Sequence, residues 1–436
     1  MVKGKELMKC VNEKIATSKF IDNHKENLKD FSRDRVLNFA VVFILILRNT
    51  AKSLQLALNE LFVKGVLPHT VSASAYTQAR KKFKHTAFIE LNEDAIEIYY
   101  SDNKVKRWKH YRCLGVDAST LILPNTPDVK KDFGEIKIKT QHLDNSSYTC
   151  GVFECCYDVL NQIALKSILA PASSYEVDLG IQMLTDPVIQ EKDLLIYDRG
   201  YASYEFLATL KQLGKNFIVR IPKKSFKETR SLFEGQGHWS QIAKLTPPRE
   251  KKQTIKAKEL PNEIEIRFVS VVLSTGEIEV LATSLMDKSI KREEFKQLYN
   301  LRWGVEVFFN LLKGRLGIEN FTGKTAESVR QDFWSAIFIS NVETVLTEQT
   351  EEEINAEVSK NQLYKKVNHA VSFNAIKNMA VDILFKNKNN DQAMEKLLLL
   401  FRTGTLVQRK DRSPPREKPS LRRSYNFLRR IKKQVF

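Results

Sequence analysis

Cysteine is sparse in this chain of 436 residues: Cys10, Cys113, Cys150, Cys155 and Cys156 make an odd number with no Cys-x-x-Cys spacing. That pattern favours neither a zinc site nor a disulfide framework and points to a reducing cytoplasm. His142 near Cys150 is set aside as a metal ligand for the same reason. Long apolar runs are also lacking. Phe39–Leu47 is only nine residues long and is followed by Arg48, too short to span a bilayer and better read as a buried helix. The opening residues do not read as a signal peptide, and no lipidation or strong amphipathic signal directs the chain to a membrane. Low-complexity linkers are missing too, so the chain divides by pattern. With 42% hydrophobic residues it can bury a sizeable core in two to four structural units.

Acidic residues are outnumbered. The formal charge is +18, and the segment from Arg402 to the end carries 12 Lys or Arg against two Asp or Glu, a local +10. Such a cluster neutralises phosphates and releases counterions, which gives salt-sensitive affinity for DNA. Tyr425 and Phe427, interleaved with those charges, could stack or pack on a duplex. A merely solvated basic tail is the plainer alternative.

Chemistry concentrates in Tyr299-Asn-Leu-Arg302-Trp-Gly-Val-Glu306-Val-Phe-Phe-Asn-Leu-Leu-Lys313. On one continuous helix, Tyr299, Arg302, Glu306 and Lys313 fall within an arc of about 60°. The neighbouring sector holds Leu298, Leu301, Val305, Phe308, Phe309 and Leu312 and fastens the helix to a core. A solvated face with an ordinary ion pair between Arg302 and Glu306 would explain the same charges. Two aspartates at strand-like runs weigh against that. Asp117 is the single acid within Leu-Gly-Val-Asp-Ala-Ser-Thr-Leu-Ile-Leu-Pro, and Asp198 ends the run Leu-Leu-Ile-Tyr before Arg-Gly-Tyr. Asp favours turns and caps for local reasons, but strand ends in α/β sheets are where ligands collect. Three carboxylates without Cys or His suit hard divalent cations, Mg²⁺ with Mn²⁺ as substitute. Two such ions can drive in-line displacement at phosphorus. Asp117, Asp198 and Glu306 are the expected catalytic and metal-holding residues, with Arg302 and Lys313 on flanking phosphates and Tyr299 against phosphate or base. Arg199 is a weaker candidate, explained equally by an ion pair.

These residues carry a family resemblance. Asp117, Asp198 and the spacing Tyr-x2-Arg-x3-Glu-x6-Lys resemble the bacterial DDE transposases with a Y-R-E-K signature, the insertion-sequence-four family in particular. The resemblance extends over most of residues 109 to 436 and includes Tyr-Asp-Arg-Gly-Tyr and Phe-Ile-Val-Arg-Ile-Pro. It implies a ribonuclease-H-like core, cut-and-paste transposition of double-stranded DNA between inverted repeats, a homodimer holding two ends, and a hairpin intermediate.

The expected fold is α/β, a mixed-sheet catalytic core interrupted by a β-rich insertion. Residues 1–108 read as a helical DNA-binding domain with helices at Asp30–Leu47, Ala51–Val63 and Ser72–Lys84. The last would offer Tyr76, Gln78, Arg80 and Lys81 to a groove, as in a helix-turn-helix, although a plain helical hairpin fits as well. The core spans 109–222 and 283–385, with strands at Cys113–Asp117, Leu121–Leu123, Ile136–Thr140, Thr149–Asp158, Gln162–Leu169, Leu194–Asp198 and Asn216–Arg220. Between Asp198 and Glu306 the chain is far longer than one strand and a connection need, which marks 223–282 as the insertion. Trp239 there is either a base-stacking wedge or a core residue. Helices are expected at Ala326–Thr347 and Glu353–Phe385, and 386–436 is the basic C-terminal region. The reading is a Mg²⁺-dependent transposase. The alternatives are a nuclease with the same core but no strand transfer, and a DNA-binding protein without catalysis, which the intact acids oppose.

Overall fold

The computed structural model describes residues 2–49, 53–102, 104–140, 143–356, 363–385 and 390–408. The basic segment beyond residue 408, with Tyr425 and Phe427, lies outside the described residues, as do His142 and the Asn/Lys-rich break at 386–389. The chain divides into two compact units, one formed by Asp102–Asn125 and Lys130–Leu311, the other by Met1–Ser101, Thr126–Val129 and the residues from Leu312 on.

The first unit is built on one mixed sheet. Its strands are β1 (Arg112–Ile122), β2 (Glu135–Thr140), β3 (Leu143–Asp158), β4 (Ile163–Pro171), β5 (Asp193–Tyr197), β6 (Asn216–Ile221), β7 (Ser240–Leu245), β8 (Ile264–Val272) and β9 (Ile278–Thr283). They run in the order β2-β3-β1-β5-β6-β9-β8-β7, with β4 on β3. The centre is parallel: β1 pairs β5 and β5 pairs β6. All five residues of β5 are buried, which explains its unbroken apolar run, since parallel strands are covered on both faces. The β5–β6 crossover is the helix Tyr204–Gln212, capped by the Ser203 hydroxyl, which accepts from the Phe206 N–H at 3.2 Å. Outside this centre the sheet is antiparallel. The strands of residues 223–282 add to the same sheet, because β9 pairs β6 from Ile218↔Thr283 to Ile221↔Val280. Gly276, at φ +82°, makes the β8–β9 turn.

The segment Tyr299–Lys313 is not one helix. A helix Arg292–Leu301 ends at Arg302, a second runs Trp303–Leu311, and Leu312–Leu316 forms a π turn. The break comes from a tightened turn in which the Arg302 N–H donates to the Tyr299 carbonyl at 3.1 Å. Two glycines then let the second helix lie close to the sheet. A Cβ on Gly304 would stand 3.0 Å from Val159, and one on Gly115 would stand 3.1 Å from Val159 and 3.5 Å from Val305. Gly115 precedes Asp117 by two residues and Gly304 precedes Glu306 by two, so the close approach brings these acids together.

The second unit is helical. Its long helix Ala326–Ala356 is buried over much of its length, with Phe43 and Phe88 stacked 5.0 Å apart and Phe338 at 6.3 Å from Phe88. The apolar run Phe39–Leu47 is indeed a buried helix, Phe39–Arg48, but it begins at its Asn38 cap and not at Asp30. The Asn38 side chain accepts from the Val41 N–H, and the residues before it are turns. Helices Leu54–Val63 and Ala73–Arg80 follow, capped by Ser53 and Ser72. The helices Val2–Ala16 and Thr86–Tyr100 are additions to those expected. The expected helix Glu353–Phe385 is divided, because Lys365–Val367 is a short strand paired with Thr405–Val407 before the helix His369–Phe385.

Replacing Gly304 with valine should overpack this junction and lower unfolding free energy by about 1–3 kcal/mol. Urea denaturation reads it, and a loss within about 0.5 kcal/mol, the range of neutral surface substitutions, would mean that the close approach is not needed.

Candidate active site

Asp117 and Asp198 are brought side by side by strand register. Val116 pairs Tyr197 as the last β1–β5 register pair; Asp117 is the next residue of β1, and Asp198 is the first residue after β5. Adjacent strands lie about 4.8 Å apart, so the two carboxylates issue from neighbouring positions at one end of the parallel pair. The broken helix supplies the rest. Arg302 Nη1 donates to Asp117 Oδ2 at 3.2 Å, and Arg302 Nη2 donates to Glu306 Oε1 at 2.8 Å. The Tyr299 hydroxyl donates to Asp198 Oδ1 at 3.0 Å, and the Arg302 guanidinium stands 4.8 Å from the Trp303 ring centre and 5.8 Å from that of Tyr299.

Arg302 is 3% exposed. Its charge is therefore spent on Asp117 and Glu306, where the sequence suggested that it would face phosphates. Tyr299, also buried, is tied to an acid. Burial pushes the Asp117 carboxyl up to about 6, opposed by Arg302 and by the Ala118 N–H that donates to Oδ1, and reinforced by Glu306 and Asp198. Repulsion among the acids is thus present, and one guanidinium offsets it. Lys313 falls in the Leu312–Leu316 turn, which belongs to the helical unit, and burial lowers its pKa. Arg199 is exposed.

The other candidate DNA contacts divide. Arg80 is 5% exposed, and its guanidinium donates to Asp332 Oδ1 at 2.7 Å, Gln331 Oε1 at 2.7 Å, Thr322 Oγ1 at 2.6 Å and the Ser328 carbonyl at 3.0 Å. It is a buried strut of the helical unit, with four of its five N–H groups bonded inside that unit. Tyr76 is likewise buried. Lys81 is exposed. Trp239 packs against the core of the sheet unit, with the Arg267 guanidinium 5.6 Å from its ring centre.

Residues to which the sequence assigns no role also surround the acids. Arg220 on β6 lies 3.9 Å from Asp198 Oδ1 and pairs with Glu279 of β9 at 2.8 Å. Glu154 on β3 is fully buried, accepts from the Tyr201 hydroxyl at 3.1 Å, and leaves Oε2 without a partner. Burial drives its pKa up to about 9, with Glu176 and Asp117 adding to the rise, so Glu154 is a neutral acid near pH 7. Tyr201 follows Asp198 by three residues, and the bond ties the turn carrying Asp198 to the strand beside β1. A Cβ on Gly200 would stand 2.5 Å from Glu176 Oε1, so a larger residue there would displace the end of that side chain. The motif Asp-Arg-Gly-Tyr was the available signal for this contact, but its partner lies 47 residues earlier.

Among the described residues no group of three His, Cys, Asp or Glu is arranged to hold a metal ion. Arg302 bridges Asp117 and Glu306 instead, at 3.2 and 2.8 Å. The donor set is nonetheless all oxygen, with neighbouring acids that repel one another, and that chemistry fits a hard dication in place of the guanidinium.

Two acids thus stand at the end of a parallel strand pair, with a third brought by a helix. The family model described as transposase DDE domain matches residues 108–342, more than half of the chain. The chain belongs to that family and is a DDE transposase, an enzyme of DNA transposition. A search of curated proteins finds no match. Among solved structures the chain is similar to a piggyBac transposase seen by cryo-electron microscopy in a synaptic complex with hairpin DNA. The identity is 11%, coverage is 93% of this chain and 86% of that one, and the TM-score is 0.47. A likeness that loose adds nothing to the assignment.

Two outcomes follow from these electrostatics. A Glu whose folded pKa lies above its unfolded value stabilises the fold fully below the unfolded pKa, and that contribution is lost as pH rises toward the folded one. The thermal midpoint of the wild type should therefore fall further between pH 5 and 9 than that of Glu154→Gln, and parallel curves would contradict a neutral Glu154. Arg302→Met should raise the Asp117 pKa above about 6, as carboxyl NMR titration of metal-free protein would report; an unchanged or lower value would refute the role given to the guanidinium.

Proposed function

We propose that this chain is an insertion-sequence transposase of the insertion-sequence-four kind, with Tyr299, Arg302, Glu306 and Lys313 as its Y-R-E-K residues and a ribonuclease-H-like core. The order β4-β3-β1-β5-β6, with β1 antiparallel to β3 and parallel to β5, supports the core assignment. The observation that carries the reading is the convergence of Asp117, Asp198 and Glu306 around Arg302 and Tyr299, within bonds of 2.8 to 3.2 Å.

Asp117, Asp198 and Glu306 are the residues that would hold divalent ions, Mg²⁺ or its substitute Mn²⁺, which when bound supply Lewis-acid activation of the attacking and leaving oxygens. The chain's own groups do the positioning. Arg302 orients Asp117 and Glu306 through its two bonds, and its fork is the group that would engage the phosphate next to the reacting bond. Tyr299 keeps Asp198 oriented, and the buried Glu154–Tyr201 bond holds the turn behind it. In this reading the enzyme nicks the inverted-repeat end, the freed 3′-hydroxyl attacks the opposite strand to give a hairpin, the hairpin is opened, and the 3′ end is joined to target DNA. Each step exchanges one P–O bond for another, so a single site serves all of them while only the nucleophile changes. Two ends call for a homodimer. The main alternative is a nuclease with the same site and no strand transfer. Among the described residues no helix is long and apolar enough to cross a membrane.

The test combines purified protein, Mg²⁺, a duplex bearing the flanking repeat and a supercoiled plasmid. Cleavage with joined products is expected, whereas cleavage without joining would leave only the nuclease. Glu306→Gln should cost more than the about 10–100-fold typical of an outer-shell partner of a metal, and EDTA should abolish both reactions. Retained cleavage in that variant would remove Glu306 from the site.

A further inference from the structure

The helical unit contains a cavity of about 510 Å³ between the loop at residues 29–37 and one face of the helix Ala73–Arg80. Its lining includes four cationic side chains, Lys29, Arg33, Arg35 and Lys82, against one carboxylate, Asp30. Asp30 is already engaged: it accepts from the Asn27 N–H at 3.0 Å and from Asn27 Nδ2 at 3.1 Å, with Lys82 at 3.5 Å. Lys29, Arg33 and Arg35 are exposed and make no ion pair with a described residue. Three guanidinium or ammonium groups thus face one hollow with their charge uncompensated. Like charges gathered this way repel, and an anion relieves the repulsion.

The loop that presents them is shaped in advance. Phe31 holds a left-handed backbone at φ 54°, a conformation that bulky residues rarely adopt. Its ring meets Phe39 edge-on at 5.4 Å, and the Ser32 hydroxyl donates to the Lys29 carbonyl at 2.8 Å, so the conformation is held from both sides. The helix Ala73–Arg80 contributes small residues, Ala75 and Ala79, and the amide of Gln78, while Val36 and Leu37 floor the hollow. Small side chains permit close approach, the amide offers hydrogen bonds, and the floor accepts an apolar ring or sugar edge. A lone phosphate would leave that floor bare and engage only part of the cation set. A phosphodiester backbone supplies anions at regular spacing with sugars between them, and it matches both surfaces.

We propose that this cavity is a docking site for DNA backbone, with Lys29, Arg33, Arg35 and Lys82 on successive phosphates and the deoxyribose against Val36 and Leu37. It replaces Arg80 as the groove-facing feature of the helical unit, since Arg80 is consumed internally, and Lys81 continues the basic rim. The proposal rests on DNA being the partner in the proposed function, and it is tested without chemistry.

Full-length protein carrying Glu306→Gln is titrated with a fluorescent random-sequence duplex at several salt concentrations, with and without the triple change Lys29→Ala, Arg33→Ala and Arg35→Ala. Each phosphate that a cation ceases to neutralise flattens the dependence of log K on log salt by about 0.9, so the slope should become shallower by about 2–3 and affinity should fall at least about tenfold. A control triple scattered over the surface, Lys9→Ala, Lys256→Ala and Lys396→Ala, removes the same charge and should weaken binding less. An unchanged slope, or equal weakening in both triples with unaltered thermal midpoints, overturns the site. Inorganic phosphate, tested as competitor, should displace DNA only through ionic strength; displacement beyond a matched chloride control would make the hollow a free-anion site and overturn the assignment to DNA. Cleavage is read separately in the Glu306 background restored to wild type. Its absence beside cavity-dependent binding would sink the transposase mechanism alone, and its presence beside cavity-independent binding would sink this inference alone.

Discussion

The parallel pairing of β1 with β5 is the constraint on which the candidate active site depends. It ends at Val116↔Tyr197, and the residue that follows each of these two is an aspartate. Shifting that register by one residue would turn one of the carboxylates to the opposite face of the sheet, because side chains alternate along a strand. Buried strands on both sides resist such a slip. The core of Cys113, Leu194, Ile196 and Ile218 thus does more than stabilise the unit; it sets the separation of two acids.

On that base the helical segment adds a third acid at close quarters. Gly115 and Gly304 remove the side chains that would hold the helix Trp303–Leu311 away from β1, and Val159 fills the space between them. The break at Arg302 then turns the guanidinium back between Asp117 and Glu306. A buried cation thus compensates acids that would otherwise repel, and Arg302 is their structural counter-ion. Glu154, neutral and buried behind the same strands, shows the other solution to crowding acids, which is protonation.

The helical unit handles charge differently. Arg80 and Asp332 form a buried pair surrounded by hydrogen-bond partners, a strut that would be costly to break. The cations of the 29–37 loop are left without acids and at the surface. Two kinds of arginine therefore coexist within a short stretch of sequence, and composition alone gives no means of telling them apart.

Several strands of the sheet unit were legible because their apolar runs are short and bounded by turn residues: Leu194–Asp198 and Asn216–Arg220 fall within a residue of β5 and β6, whereas the expected strands Cys113–Asp117 and Leu121–Leu123 are one strand, β1. Asp117, Asp198 and Glu306 stood out for a related reason, being acids set against apolar surroundings, and the family assignment followed from their spacing. Three-dimensional contacts decided the rest. The helix Val2–Ala16 buries a thin stripe, Leu7, Val11 and Ile15 together with Gly4. Arg302 reads as a phosphate clamp on a regular helix, yet the break at that residue points it at Asp117, 185 positions away. Arg80 reads as a groove contact until Asp332, 252 positions on, claims it. Sequence by itself determined which segments bury and which residue types could hold a hard cation, since both follow from local chemistry. Which charges are already paired, and which remain for DNA, depended on long-range neighbours that only the tertiary structure supplies.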